Sequence, residues 1–416
     1  MTSTSQTPAG QRRTLPTSVA YVLVAAVIGL ALFASGTPSP LYGTYSELWG
    51  FSSAVLTLVY ATYAFGVLAT LIVAGRVSDE IGRRPVLIAA LATLMVASLV
   101  FMLADSVVWL FVARGIQGLA TGAALSAASA ALLDLHARRD PAAVGLTNGV
   151  FSAGGMGLGV LVSSLLIEWL PAPRVLPYVA LLILFAIALA GAIAMPEPVQ
   201  AHGRLRLTPQ RPSVPASVRR PFLLASLAVL SSWSIGGLFL SLGPQLAAGL
   251  LHSTDHVVDG LVVFLLAGTG AVAQLVFGRA KPWLGAALGS LALATGIVAI
   301  VVATAAGSGA LFLAGALVGG AGFGVAFLGG LRALSGAIPN EHRAQVMSAF
   351  YVVAYLSLSI PAVLAGILAP SLGLERTFEI FGSLVAAIAL LVAAEAYRQR
   401  PRVAAATSRR LGVDAA

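Results

Sequence analysis

The chain has 416 residues, of which 58% are hydrophobic and 9% are charged, and its mean hydropathy is +0.95. Soluble proteins carry roughly 25% charged residues, so this composition excludes a water-soluble enzyme. The absence of cysteine excludes disulfide bonds, zinc–thiolate sites, iron–sulfur clusters and a cysteine nucleophile. The net charge is +9, and the positions of the basic residues along the chain reflect membrane topology, as shown below. We therefore expect no nucleic-acid partner.

Long runs without Asp, Glu, Lys or Arg predict the membrane spans. A span needs about 20 apolar residues, and it has to be helical because the bilayer core offers its backbone no water. The run 282–331 is long enough for two spans, and Thr304–Gly309 predicts a turn between them. The sequence therefore predicts an all-α integral membrane protein with twelve transmembrane helices, beginning near Ser18, Ser52, Pro85, Val107, Ala143, Leu176, Pro221, Val257, Trp283, Ala310, Ala344 and Glu375.

The basic residues between these spans fall almost entirely on one side. If the N-terminus is inside, the inner segments hold 21 Lys and Arg residues, whereas the outer segments hold only Arg174 and Arg376. Cytoplasmic loops of membrane proteins are enriched in Lys and Arg. We therefore expect a multi-pass protein of the cytoplasmic membrane, embedded in the lipid bilayer, with both termini in the cytoplasm.

A segment rich in proline and arginine divides the spans six and six. We predict a first six-helix half at 1–195, a cytoplasmic linker at 196–220, a second half at 221–398 and a cytoplasmic tail at 399–416. The halves resemble one another at an offset of 201–203 residues; Gly75-Arg76, for example, is echoed by Gly278-Arg279. Parallel repeats of six spans predict two pseudo-symmetric halves, related by an axis along the membrane normal, and suggest alternating access.

The loop after the second span reads Gly75-Arg-Val-Ser-Asp79-Glu-Ile-Gly82-Arg83-Arg84. It closely resembles the cytoplasmic signature of the major facilitator superfamily, although Glu80 stands where the family usually has a basic residue. In that family the loop is a latch that holds the cytoplasmic side shut. The resemblance implies that the latch here consists of Gly75, Asp79, Gly82, Arg83 and Arg84. The alternative interpretation is a basic loop with a helix cap.

Two further elements lie within spans. Arg114-Gly-Ile-Gln117-Gly118 resembles an arginine element of the family that is tied to proton handling in relatives. A charge at mid-bilayer costs at least about 2.5–3.5 kcal/mol, so Arg114 should face a wet cavity or a partner. In the fifth span, Gly155, Gly157 and Gly159 partly match an element of the superfamily's exporters, and close packing of two helices explains them equally well.

Aromatic and amide side chains supply candidates for a substrate cavity. Two tyrosine pairs each share one helix face, and Trp233 lies in mid-span among serines. Together they would form an aromatic surface with few polar anchors, which suits amphiphilic organic molecules, although helix packing explains each aromatic residue alone. The candidates for the cavity or for proton coupling are Arg114, Gln117, Tyr60, Tyr63, Asn148, Trp233, Tyr351 and Tyr355.

No carboxylate in the first span is available to carry a proton. The nearest candidates belong to the predicted outer segment His252-x-x-Asp255-His256-x-x-Asp259. His256 and Asp259 could relay protons there, and a solvated loop with a helix cap is the alternative. We expect no metal site.

These observations and the resemblance together predict a secondary transporter. We expect a monomer that exports small organic or drug-like molecules by antiport with protons, with the proton gradient as its energy source and no cofactor. A proton-coupled importer of a metabolite is the first alternative, and a non-transporting membrane sensor is the second. The sequence has no phosphate-binding loop, no H-E-x-x-H and no histidine inside a span to serve a serine nucleophile, so we expect neither an enzyme nor an ATP-driven pump.

Overall fold

A computed structural model of the chain describes residues 14–74, 77–199, 211–253 and 255–399. Within these residues twelve helical segments are long and apolar enough to cross a membrane, and no strand is present. The predicted all-α, twelve-span fold is confirmed. The chain divides into two compact units, one comprising 1–51 and 58–211 and the other 52–57 and 212–416.

The helices of each unit follow the predicted spans closely. The first unit contains α1 (Thr17–Gly36), α2 (Leu41–Trp49), α3 (Ser53–Ala74, its first turn grouped with the second unit), α4 (Val77–Ile81), α5 (Arg83–Met102), α6 (Val107–Leu135), α7 (Pro141–Trp169) and α8 (Leu176–Ala194). The second unit contains α9 (Arg219–Ser241), α10 (Gly243–Leu251), α11 (His256–Phe277), α12 (Pro282–Ala306), α13 (Gly309–Ala337), α14 (Arg343–Leu372) and α15 (Leu374–Arg398). Each spanning helix begins within two residues of its predicted start.

The predicted linker is described only at its two ends, because residues 200–210 lie outside the described part of the chain. Its last two residues, Arg219 and Arg220, are helical and open α9. In the first unit the end of α8 lies on the same side as α4, the start of α5 and the end of α6.

The helices of the two units correspond in order. Four helices of the second unit begin 202 residues after their counterparts in the first: α9 after α1, α10 after α2, α13 after α6 and α14 after α7. In both units the first span is interrupted, by Thr37–Pro40 between α1 and α2 and by Leu242 between α9 and α10. Pro38, Pro40 and Pro244 cannot donate a backbone N–H, which explains why the helix breaks at these points. The charge-free runs of the sequence carry no sign of this interruption.

Glycines allow several helix pairs to approach to backbone contact. A Cβ atom on Gly155 or Gly159 of α7 would overlap the carbonyl oxygens of Gly29 or Phe33 on α1. In the second unit, Gly324 of α13 meets the backbone of α11 at Gly270 in the same way. Small residues at helix interfaces permit such close approach in membranes.

Replacement of Gly155 by alanine is expected to destabilise the first unit, because the added methyl group overlaps the α1 backbone. Overpacking of this kind costs about 1–3 kcal/mol. Gly145→Ala, on the same helix but with open space around its Cβ position, is the matched control and should melt at or above the wild-type temperature. Thermal melts of the full-length protein in detergent measure the difference, and equal melting temperatures for the two variants would contradict the contact.

Candidate functional site

The signature loop forms a compact turn between α3 and α5. The short helix α4 ends at Ile81, and Gly82 follows with a φ of +102°. Residues with a side chain rarely adopt this conformation, so the glycine is needed for the turn into α5. Asp79 lies on α4, and Arg83 and Arg84 open α5. Gly75, the first residue of the predicted latch, lies outside the described residues.

Arg83 is the centre of this turn. Its side chain is 10% exposed and forms two ion pairs, with Asp79 at 2.5 Å and with Asp134 at 3.0 Å. It also donates to the hydroxyl of Ser78 at 2.7 Å. Burying a guanidinium costs free energy unless ion pairs or hydrogen bonds compensate for the lost water, and here two carboxylates do so. Because Asp134 belongs to the end of α6, Arg83 ties the loop to that helix.

Glu197 is a part of this arrangement that the sequence analysis missed. Its carboxylate accepts the backbone N–H groups of Arg83 at 2.8 Å and of Arg84 at 2.9 Å. The first N–H groups of a helix lack intrahelical partners and carry a positive partial charge, so this carboxylate caps α5. In return, the Arg84 guanidinium donates to the carbonyl oxygen of Ile193 on α8. The sequence feature that could have indicated this cap is a single acidic residue between two prolines, directly after the sixth span.

Arg114 lies in the interior of the first unit and is completely buried. Its Nε donates to the Tyr42 hydroxyl at 2.8 Å, and its Nη1 donates to the Ser35 carbonyl at 2.9 Å and to Gln117 Oε1 at 2.7 Å. Gln117 completes the arrangement by donating to the carbonyl oxygen of Ala34 at 2.9 Å. The predicted requirement for a partner is therefore met by neutral oxygens of α1, α2 and α6.

Four aromatic rings surround the guanidinium. Its Cζ lies 5.4 Å from the ring centre of Tyr63 and 5.9 Å from that of Tyr60, and the rings of Tyr42 and Phe101 are equally near. At such distances an aromatic face attracts a cation. The structure thus brings together four of the predicted residues, Arg114, Gln117, Tyr60 and Tyr63. It adds Ser35 and Tyr42, on either side of the unpredicted interruption of the first span, and Phe101 of α5, whose contact with α6 the sequence did not indicate.

Asn148 does not join this group. Its Nδ2 donates to Ser129 on α6, fifteen residues beyond Arg114, which at 1.5 Å per residue is about 22 Å along the helix.

The glycines of α7 contact α1, as described above, and Gly157 is buried in the same helix. They support the packing interpretation of the fifth-span element directly.

In the second unit the predicted aromatic residues form a separate cluster. The Trp233 ring packs edge-on against Tyr355, with 5.2 Å between the ring centres, and lies 5.6 Å from Phe327. Tyr351 packs at 5.9 Å against Phe350. This cluster joins α9, α13 and α14 without a charged side chain, so the interiors of the two units differ in charge.

The predicted outer relay forms the start of α11. Asp255 caps the helix by accepting the backbone N–H of Val257 at 2.7 Å, which supports the helix-cap alternative for that carboxylate. His256 is the first helical residue. The side chain of Asp259 lies outside the described part of the structure, so the relay stays a prediction. No group of three His, Asp or Glu residues that could hold a metal occurs among the described residues.

The Glu197→Gln variant is expected to loosen the start of α5. Glutamine keeps one acceptor oxygen and loses the negative charge, so one backbone N–H loses its carboxylate partner; loss of such a cap costs about 0.5–2 kcal/mol. A lower melting temperature of the full-length protein would report this loss. Glu341→Gln, at an exposed site in the second unit, is the control, and the same melting temperature in both variants would rule out the cap.

The Arg114→Lys variant keeps the charge but loses the planar fork of donors. A lysine ammonium cannot reach the acceptors on three helices at once, and each buried acceptor left without a donor costs about 1–3 kcal/mol. We expect a lower melting temperature and reduced transport. Arg376→Lys, at an exposed residue paired with Glu379, is the control. A variant of Arg114 as stable and active as this control would show that the fork is dispensable.

Comparisons with known proteins agree with this architecture. The chain is 33% identical over 122 residues to the multidrug resistance protein MdtL of Klebsiella pneumoniae subsp. pneumoniae, a match that covers 29% of this chain and 31% of that protein. It is 35% identical over 100 residues to MdtL of Escherichia coli O139:H28, covering 24% of this chain and 26% of the relative. The matched region thus spans less than a third of these relatives' length.

A solved structure matches over a much longer region. The human organic anion transporter MFSD10 (TETRAN) superposes with a TM-score of 0.66 at 17% identity, covering 91% of this chain and all of that one. At this identity the likeness shows the fold alone. The family model described as Major Facilitator Superfamily matches residues 24–286, more than half of the sequence. The chain therefore belongs to the major facilitator superfamily of membrane transporters.

Proposed function

We propose that this transporter exports small organic, drug-like compounds from the cell by exchange with protons. It acts as a monomer in the cytoplasmic membrane, with both termini in the cytoplasm and the proton gradient as its only energy source. No cofactor takes part.

The observation that carries the proposal is the chemistry around Arg114. Aromatic rings and a few hydroxyl and amide groups surround it. Such an environment suits amphiphilic organic molecules, whereas a sugar needs many more amide and carboxylate partners to replace its hydrogen bonds with water. The cluster around Trp233 in the second unit is of the same aromatic kind.

Three observations favour the outward direction and the proposed topology. The relatives that match over part of their length are multidrug resistance proteins. The glycines Gly155 and Gly159 belong to a segment that partly matches an element of the superfamily's exporters, although their contacts with α1 explain them equally well as packing. The basic residues concentrate on one side of the spans, and this enrichment supports a cytoplasmic location for that side.

Inverted, energised membrane vesicles with an internal pH dye test the function. In this orientation an exporter takes compounds up in exchange for lumenal protons, so an added amphiphilic substrate should partly collapse the proton gradient. The effect should weaken in Asp79→Asn, because Arg83 then keeps only Asp134 as an ionic partner. The amount of inserted protein should stay constant.

Glu375→Gln is the control, since Glu375 is exposed in the first turn of α15 and takes no part in the Arg83 pairs. It should behave as wild type. Gradient collapse only in vesicles of the opposite orientation would instead establish the importer. Wild-type kinetics in Asp79→Asn would remove the latch from the mechanism.

A further inference from the structure

The carboxylates of the first unit all avoid its interior. Each is at least partly exposed and lies at a helix end or in a connection. The unit has eight in its described part: Glu47, Asp79, Glu80, Asp105, Asp134, Asp140, Glu168 and Glu197. The hydrogen bonds that the described structure gives for Arg114 go to Tyr42, Ser35 and Gln117, and none of these partners is a carboxylate.

Arg114 is therefore a buried charge without a counter-charge. The only other buried charged residue of the described chain, Arg83, is paired with two carboxylates. The partners of Arg114 are a hydroxyl, a backbone carbonyl and an amide, which accept four hydrogen bonds from its five N–H groups but leave its charge in place. A guanidinium does not lose its proton in proteins, so the interior of the first unit carries one permanent positive charge.

The second unit supplies no balancing charge in its described interior. Its buried polar residues are serines, threonines and Gln274, all of them neutral. Among the acidic residues of the second unit that fall within the described ranges, only Asp259 has a side chain whose surroundings the structure does not describe.

We infer that this transporter carries organic anions in preference to organic cations, an inference that rests on the function proposed above. Consider a substrate with a unit charge about 10 Å from Arg114, at an effective dielectric constant of about 20. Attraction to Arg114 raises the affinity of an anion roughly tenfold, and repulsion lowers that of a cation by a similar factor. Because Arg114 is buried and four of its five N–H groups are already engaged, it selects the substrate by charge at a distance and needs no direct contact.

The aromatic rings do not offset this preference. Aromatic faces can bind organic cations, but the rings of Tyr42, Tyr60, Tyr63 and Phe101 already lie around the guanidinium of Arg114. In the second unit the Trp233 ring packs against the rings of Tyr355 and Phe327. An incoming cation would have to compete with Arg114 or separate these rings.

Two xanthene dyes of opposite charge test the inference directly. Fluorescein is an anion and rhodamine 123 a cation near neutral pH, and their ring systems are alike. Their binding to the full-length protein in detergent is measured by fluorescence anisotropy. We expect saturable fluorescein binding with a Kd at least about tenfold below that of rhodamine 123.

A nearly isosteric variant isolates the role of charge. Gln117→Glu places a carboxylate where Gln117 Oε1 now lies, 2.7 Å from Arg114 Nη1, and should bring the ratio of the two Kd values close to one. Gln117→Met, which loses the hydrogen bonds of Gln117 to Arg114 and Ala34 without adding a charge, should keep the wild-type ratio of the two Kd values. Arg114→Gln, which removes the positive charge itself, should abolish the preference as Gln117→Glu does, and gel filtration confirms that each variant is folded.

Three results would overturn the inference: equal or tighter binding of rhodamine 123, no saturable binding of fluorescein, or a ratio that both charge-changing variants leave unaltered. Uptake of fluorescein into inverted vesicles separates this question from the direction of transport. If the dye binds with the expected preference but does not accumulate there, export is wrong and the charge preference stands.

Discussion

The bilayer core provides no hydrogen-bond partner, so the backbone polar groups within a span have to be satisfied by the chain itself, and an unpaired side-chain polar group there is costly. The helices meet this requirement for the backbone. Threonines within spans meet it locally: Thr62, Thr93 and Thr295 each donate to a carbonyl oxygen four residues earlier. Arg114 needs more acceptors than one helix can provide, so α1, α2 and α6 converge on it. The break between α1 and α2 is what allows Ser35 and Tyr42 to face the same guanidinium.

The two units share one plan but differ in their polar chemistry. Helices of equal order recur at a spacing close to 202 residues, including the interrupted first span. In the first unit an arginine at the turn into the third span pairs with two carboxylates. In the second unit Arg332 of α13 instead donates to the carbonyl oxygens of Gly278 and Ala280, just beyond α11. The same kind of turn is therefore fixed ionically in one unit and by backbone carbonyls in the other.

The sequence predicted the spans well because the cost of a charge in hydrocarbon leaves long uncharged runs. It also indicated Arg114 and Gln117 as candidates for one cavity, and in the structure the two residues, three apart on one helix face, are hydrogen-bonded. Contacts between helices were harder to foresee. Tyr42 and Phe101 lie far from Arg114 in the sequence, and the position of Asn148 near the other end of α6 depends on how α7 packs. Glu197 caps a helix that begins more than a hundred residues earlier, a relation that no local pattern encodes.

The neutral surroundings of Arg114 have a consequence for energy coupling. Hydroxyl, amide and carbonyl groups hold the same charge throughout the physiological pH range, and the guanidinium does so as well. The electrostatic field inside the first unit is therefore constant when the medium on either side is acidified. In the proton-coupled cycle proposed above, the driving proton therefore binds to another group, on the substrate or on a carboxylate near the membrane surfaces. In that proposal Arg114 contributes to the coupling by repelling the proton.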